Sequence, residues 1–380
     1  MRIVSLRLYA VRIPFRFTYR HPLAERREAE SVLVSVTTDS GVMGWGECIP
    51  RTYLTGETCA TVLADLEARF WPDVRGRVFD GLGTALDVLA PVYDAADTAR
   101  RTAAYAGLEL ACLDAIGRAT GRPAREAVPA DLRGADLPIR WSGPVGGGSQ
   151  RVAAHLARVY RWLGFRDIKL KVGADDDLAR IRRIRRILGS KFDLRVDANA
   201  AWDRATTVER SQQLSEEGVT SIEQPIPATD PDAWNGLQAA CALPVMADES
   251  LCTRADASAL IDANACAIFN LRLAKCGGFL GCLSQLRLAR AAGLDCQLGA
   301  LVGETSILSG AGQEFLAAIG PLRHAETSFP RIFLGADPAY GAATPVRGGE
   351  TLPRRVRPGL GVTVRPSVVR RITTESRVLQ

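Results

Sequence analysis

The chain has 380 residues, 47% of them hydrophobic, enough to bury a large core in two domains or in one barrel with an attachment. Its net charge of +6 is spread along the chain and gives no sign of a nucleic-acid partner, which would gather basic residues on one face. No run reaches the roughly 18 apolar residues of a membrane span; nine scattered cysteines without a CxxC, and three histidines, argue against a disulfide framework or zinc site and for a reducing cytoplasm.

In chain order, MRIVSLRLYAVRIPFRF alternates as a strand does and lacks the unbroken apolar stretch of a signal peptide. IVSLRLYAVRI, SVLVSVTTDSG and MGWGECIP read as strands, with a turn at Asp39-Ser40-Gly41. Helical patterns follow at about 57–71 and 99–119, and AAYAGLELACLDAIGRATG ends on glycine, as helices commonly do.

From about residue 137 short apolar strands alternate with helices. The strands are PIRWSG, DIKLKV, DLRVDAN, TSIEQP, PVMADES, CAIFNLRL, LDCQLG and LRHAET; DLARIRRIRRILG, RATTVERSQQLSEEG and FLGCLSQLRLARAAG are among the helices. Positions 171, 197, 223 and 248 mark comparable strand ends, a step of 25 or 26 residues. Eight units at that step predict an α/β fold, a (β/α)8-type barrel over 131–339. An α+β capping domain over 1–130 precedes it, and the Pro/Gly/Arg-rich tail over 340–380 packs back to complete that domain. A doubly wound open sheet is the alternative. The five arginines within 180–186 read as the solvated face of an outer helix, and GGGSQ at 146–150 is a weak candidate for an anion loop.

The chemistry gathers at the strand ends. Lys169 and Lys171 end strand two, Asp197 strand three, Glu223 strand four and Asp248 strand five. Any one carboxylate alone passes for a helix cap or a surface acid. Three on successive strands at matching heights converge, and they repel unless a cation sits between them. Oxygen ligands without His or Cys suit a hard dication: one Mg2+, with Mn2+ as a substitute.

Only four of the 48 Lys+Arg are lysine, and two stand side by side at Lys169 and Lys171. Two residues apart, they share a strand face. Arginine stays protonated, whereas lysine takes a proton if its pKa is lowered, as a neighbouring ammonium and a dication would do. The reaction implied is proton abstraction next to a carboxylate, through an enediolate.

K-x-K followed by DAN, EQP and DES, with GWGE, TGET and GALVGETSIL elsewhere, resembles the enolase superfamily, muconate lactonizing enzyme subgroup, over nearly the whole chain. The resemblance implies that Asp197, Glu223 and Asp248 bind Mg2+. It implies Lys171 as acid/base with Lys169 beside it, and a substrate-selecting loop around residues 15–30. The subgroup carries a second lysine as N-x-K on strand six, then K-x-G-G. Here the stretch reads Asn270-Leu271-Arg272, then Lys275-Cys276-Gly277-Gly278. Arg272, 24 residues after Asp248, fits the strand step, and Lys275 follows at 27, so either is a candidate for the face opposite Lys171. A guanidinium there favours one-base chemistry, cycloisomerisation or β-elimination of a small carboxylate, over racemisation by two bases. The alternatives are a racemase or epimerase of N-acyl amino acids or dipeptides, a non-catalytic binding protein on the same fold, and a Schiff-base lyase using Lys171. Strand eight lacks the D-x-D of the dipeptide epimerases, and His324 reads as structural. Arg20, Tyr53, Asn199 and Glu304 are the candidate substrate contacts. Homo-oligomerisation is expected, as barrels of this class often assemble through their faces.

Overall fold

Period-two and period-3.6 patterns alternate along this chain, and the fold sorts them into two sheets with helices packed between and around them. The computed structural model describes residues 1–21, 24–146, 149–174, 176–342, 348–351 and 356–380, and the backbone alone at 19–21 and 24–25.

Strands β1 (Ile3–His21), β2 (Ala24–Thr38) and β3 (Met43–Cys48) pair antiparallel, with Leu6 opposite Val36 and Val34 opposite Gly46. Alternation buries Leu6 and Leu8 while Arg7 stays exposed. Helix α1 (Leu82–Thr98) packs on helix α2 (Thr102–Thr120), which packs on this sheet. The sequence did not announce α1, because Gly81 and Gly83 at its start and Pro91 inside it read as breakers. Tertiary burial of Leu82, Leu86, Leu89 and Tyr93 along one stripe prevails over that local penalty. In the GWGE motif the second glycine has a packing reason: a Cβ on Gly46 would lie 1.9 Å from the carbonyl oxygen of Gly107 on α2.

The second sheet has eight parallel strands: β4 (Gly143–Val145), β5 (Asp167–Lys171), β6 (Asp193–Asp197), β7 (Ile222–Glu223), β8 (Val245–Ala247), β9 (Ile268–Leu271), β10 (Asp295–Leu298) and β11 (His324–Ala325). They lie side by side in chain order, without the order reversal of a doubly wound sheet. Ser142 N–H donates to Ala325 C=O at 2.8 Å, so the curled sheet brings its last strand to its first. The connecting helices include α3 (Gln150–Leu163), α4 (Asp177–Leu188), α5 (Arg204–Glu216), α6 (Arg254–Asp262), α7 (Gly278–Ala291) and α8 (Ser306–Ile319). The five arginines fall on α4, but only part of that face is solvated: Arg180 is buried against Asp177 and the Lys171 carbonyl. Of the glycine loop, residues 147 and 148 lie outside the described residues, and Ser149 caps α3. The chain returns at its end: β12 (Thr373–Leu379) pairs antiparallel with β1, Leu379 opposite Leu6.

Buried carboxylates of the N-terminal domain tie it to the barrel helices. Glu47 accepts from Thr305 Oγ1 at 2.7 Å and from the Thr305 and Leu308 amides at the start of α8. Glu109 accepts from the Phe279 and Leu280 amides at the start of α7. Burial pushes the pKa of each to about 8. All nine cysteines are free, and among the described residues no helix is long and apolar enough to cross a membrane.

Candidate active site

Barrel register sets the site. Lys171 stands opposite Asp197, and Asp197 opposite Glu223, so one side chain from each of three neighbouring strands ends at one height. Two of the turns that follow are strained: Asn199 (φ 46°) and Gln224 (φ 37°) hold left-handed backbone without being glycine. Gln224 uses its whole amide there. Its Oε1 accepts from the Asp248 and Ser250 amides at 2.9 and 3.2 Å, and its Nε2 donates to Ile226 C=O and Ser250 Oγ. The EQP and DES motifs are thus one hydrogen-bonded unit.

The two lysines are not equivalent. Lys169 Nζ lies 2.9 Å from Asp197 Oδ2, 2.7 Å from Glu223 Oε1 and 3.1 Å from Glu326 Oε1. Burial works against its charge, but those carboxylates prevail and raise its pKa well above the usual lysine range. Lys169 is therefore a fixed ammonium. Lys171 Nζ lies 2.8 Å from Asp197 Oδ2 and donates to Asn199 Oδ1. Its side chain is 21% exposed against 7% for Lys169, so Lys171 is the lysine a substrate can meet.

Asp197, Glu223 and Asp248 are buried. Burial works against the charge of Asp197, but Lys169 and Lys171 hold its carboxyl well below the usual range. Burial and the adjacent Asp197 push Glu223 up to about 8. Glu223 also accepts from Asn270 Nδ2 at 3.0 Å and Gln297 Nε2 at 3.4 Å. Asp248 Oδ1 is buried with no hydrogen-bond donor in hydrogen-bonding geometry. Among the described residues no three His, Cys, Asp or Glu side chains converge closely enough to hold a cation as they stand; the Lys169 ammonium and the Arg272 guanidinium bridge the carboxylates instead. An all-oxygen donor set, an Asp248 oxygen that accepts no hydrogen bond and a Glu223 crowded by like charge fit a hard dication such as Mg2+.

Arg272 and Lys275 separate cleanly. Strand β9 is four strands from β5, across the barrel. From its end, Arg272 Nη2 donates to Asp248 Oδ2 and lies 3.4 Å from Glu223 Oε1. Gly299 leaves it room, since a Cβ there would lie 2.9 Å from Arg272 Nε. Lys275 is fully buried, its Nζ donating to the carbonyls of Asp248 and Leu251, both at 2.5 Å, and lying 3.3 Å from Asp248 Oδ1.

Glu304 and Glu326 line one pocket, walled by Trp141, Leu298 and Leu308. Burial pushes Glu304 up to about 7; its Oε1 accepts from Leu301 N–H at 2.6 Å. Sequence reasoning missed Glu326. Burial works against its charge, but Lys169 and Arg195 hold its pKa at about 2. Its signal was faint: it follows His324 by two and so shares that residue's side of the strand. Arg195, also missed, precedes Asp197 by two in an otherwise apolar strand interior, and spans Asp167, Ser142 and Glu326. Asn270, Gln297 and Glu249 were missed as well, the last accepting from Asn199 Nδ2 at 3.1 Å. His324 pairs with Asp167 at 2.7 Å and makes no contact with the three carboxylates at the strand ends, a structural placement.

The N-terminal domain supplies the rim. Tyr53 is 40% exposed, with the Arg26 guanidinium 5.9 Å from its ring centre. Buried Arg51 donates to the carbonyls of Glu30, Pro50 and Val302, tying this rim to the loop that bears Glu304. The side chains of Arg20 and His21 lie outside the described residues.

Comparison with known proteins places this geometry. Residues 151–368 match the family described as enolase C-terminal domain-like, and residues 4–127 match the mandelate racemase / muconate lactonizing enzyme N-terminal domain. A hydrophobic dipeptide epimerase of Enterococcus faecalis is 30% identical over 356 residues, 93% of this chain and 95% of that one. Muconate cycloisomerase 1 of Rhodococcus opacus is 30% identical over 314 residues, 81% of this chain and 80% of that one. The crystal structure of a dipeptide epimerase from Cytophaga hutchinsonii, complexed with Mg and D-Ala-L-Val, superposes with a TM-score of 0.84 at 27% identity and covers 100% of both chains.

Proposed function

The chain belongs to the mandelate racemase and muconate lactonizing enzyme family of the enolase superfamily, and on that premise we propose that it is an isomerase acting at the carbon next to a carboxylate, an epimerase or racemase of a dipeptide or N-acyl amino acid. The observation that carries the reading is the Lys171 amine, held between Asp197 and Asn199 and accessible beside three buried carboxylates. The names of the relatives support an amino-acid-derived substrate.

Asp197, Glu223 and Asp248 would hold Mg2+, which when bound supplies positive charge to the substrate carboxylate as its α-carbon is deprotonated. Lys171 takes the α-proton onto Nζ: the C–H bond breaks, its electron pair passes into the carboxylate, and an N–H bond forms. Lys169, a fixed ammonium, adds positive charge where the oxygens become more negative. Glu304 and Tyr53 would contact the remainder of the substrate.

A second reading is favoured by Arg272. A guanidinium does not deprotonate readily, so the face opposite Lys171 lacks the amine that a two-base epimerase uses. Cycloisomerisation or β-elimination of a small carboxylate needs Lys171 alone. Solvent-deuterium uptake by L- and D-configured substrates distinguishes the two. Uptake from both enantiomers supports the epimerase, uptake from one supports one-base chemistry, and none from a broad panel of dipeptides, N-acyl amino acids and lactone acids contradicts both.

A further inference from the structure

We infer that Lys275 is a positioning residue for the cation site: it acts through the turn that carries Asp248 and takes no proton in the reaction. This rests on the assignment of Asp197, Glu223 and Asp248 as the cation's ligands.

Lys275 Nζ donates to the Asp248 and Leu251 carbonyls at 2.5 Å each and forms an ion pair with Asp248 Oδ1 at 3.3 Å. The side chain is 1% exposed, which leaves no surface for a substrate to touch.

Within the turn 248–251 the Asp248 carbonyl also accepts from the Leu251 amide at 3.0 Å, and the Leu251 carbonyl has the Cys276 thiol at 4.0 Å. Gln224 takes the Asp248 amide, and the turn's far end is held from the N-terminal domain, where the Cys252 thiol donates to Leu54 C=O and Asp97 accepts from the Arg254 amide and Nε. Thr102 Oγ1, also from that domain, donates to the backbone carbonyl of Lys275 at 2.6 Å. Without the ammonium the Leu251 carbonyl would keep only the weak Cys276 thiol at 4.0 Å and the Asp248 carbonyl only the Leu251 amide, which would loosen the turn and shift the Asp248 carboxylate with it. A compact ammonium on a thin stem fits between two carbonyls and a carboxylate oxygen, where a planar guanidinium fork does not. That accounts for one of the four lysines kept in a chain otherwise rich in arginine.

The test is Mn2+ binding followed by electron paramagnetic resonance, on wild type, Lys275→Met and Lys275→Gln. Loss of an outer-shell partner typically weakens metal binding about 10–100-fold, and that is the rise in dissociation constant expected for Lys275→Met. Lys275→Gln, whose amide still donates to a carbonyl, should fall between Met and wild type, and it carries the test if the Met variant does not fold. At saturating Mn2+ both variants should recover α-proton exchange to within about threefold of wild type, since metal occupancy is what they lost. Wild-type affinity in the variants, or exchange still abolished at saturating Mn2+, overturns the inference. A wild-type protein that binds no Mn2+ contradicts the cation site itself, a separate failure.

Discussion

Arg272 Nη2 donates to Asp248 Oδ2 from the strand that faces Lys171 across the barrel. One side of the site therefore ends in an amine and the other in a guanidinium.

Arg272→Lys should place a second titratable amine opposite the first. If wild type exchanges the α-hydrogen of one enantiomer only, the variant should exchange both, read by NMR in D2O. Arg272→Met should slow exchange about 10²–10³-fold, the loss typical when one cationic or hydrogen-bonding group beside a developing oxyanion is removed. An Arg272→Met variant as fast as wild type would remove Arg272 from the chemistry.

The Gln224 side chain joins the ends of strands four and five through three hydrogen bonds. Gln224→Leu keeps much of the volume but leaves the buried Asp248 amide unpaired. A loss of about 1–3 kcal/mol in urea unfolding is expected, together with weaker Mg2+ binding by calorimetry. Undiminished stability would show that the amide finds another acceptor.

Glu109 sets a pH dependence in the docking of the two domains. Burial raises its pKa from 4.5 to about 8. Below 4.5 both folded and unfolded chains hold the proton, and its contribution to stability is complete. Between 4.5 and 8 the unfolded chain releases the proton while the folded chain keeps it, so the contribution is lost as pH rises through that window. Glu109→Gln has no proton to release. The stability of wild type relative to this variant should therefore fall steadily across the window in denaturant unfolding. A relative stability that is flat or rises with pH would show that the carboxylate is ionised at the start of α7.

Much of this site was legible because barrel strands repeat at a near-constant step. That regularity put Lys171, Asp197, Glu223 and Asp248 at one height; Lys171 pairs with Asp197 and Asp197 with Glu223, whereas Glu223 stands opposite Met246, two residues before Asp248. The same step put Arg272 rather than Lys275 at the end of strand six. It could not say where Lys275 points, since side-chain direction just past a strand depends on which carbonyls the next turn leaves unpaired. Glu326 was illegible for another reason. Its partners Arg195 and Lys169 lie on strands three and two, and Arg195 is 131 residues away, so no local spacing joins them. Helix α1 was hidden by its own Pro91, whose local cost is outweighed by apolar burial that only the folded chain provides.

On the proposed reading the Lys171 amine removes a proton from the carbon beside a carboxylate, with a dication at Asp197, Glu223 and Asp248. Deuterium incorporation from D2O tests it directly, using any substrate the wild type exchanges, in wild type and Lys171→Ala, each with Mg2+ and after chelation. Exchange is expected in wild type with Mg2+, none after chelation, and a loss of about 10²–10⁴-fold or more in Lys171→Ala while Mg2+ still binds. Exchange in Lys171→Ala at the wild-type rate, or exchange indifferent to chelation, would contradict it.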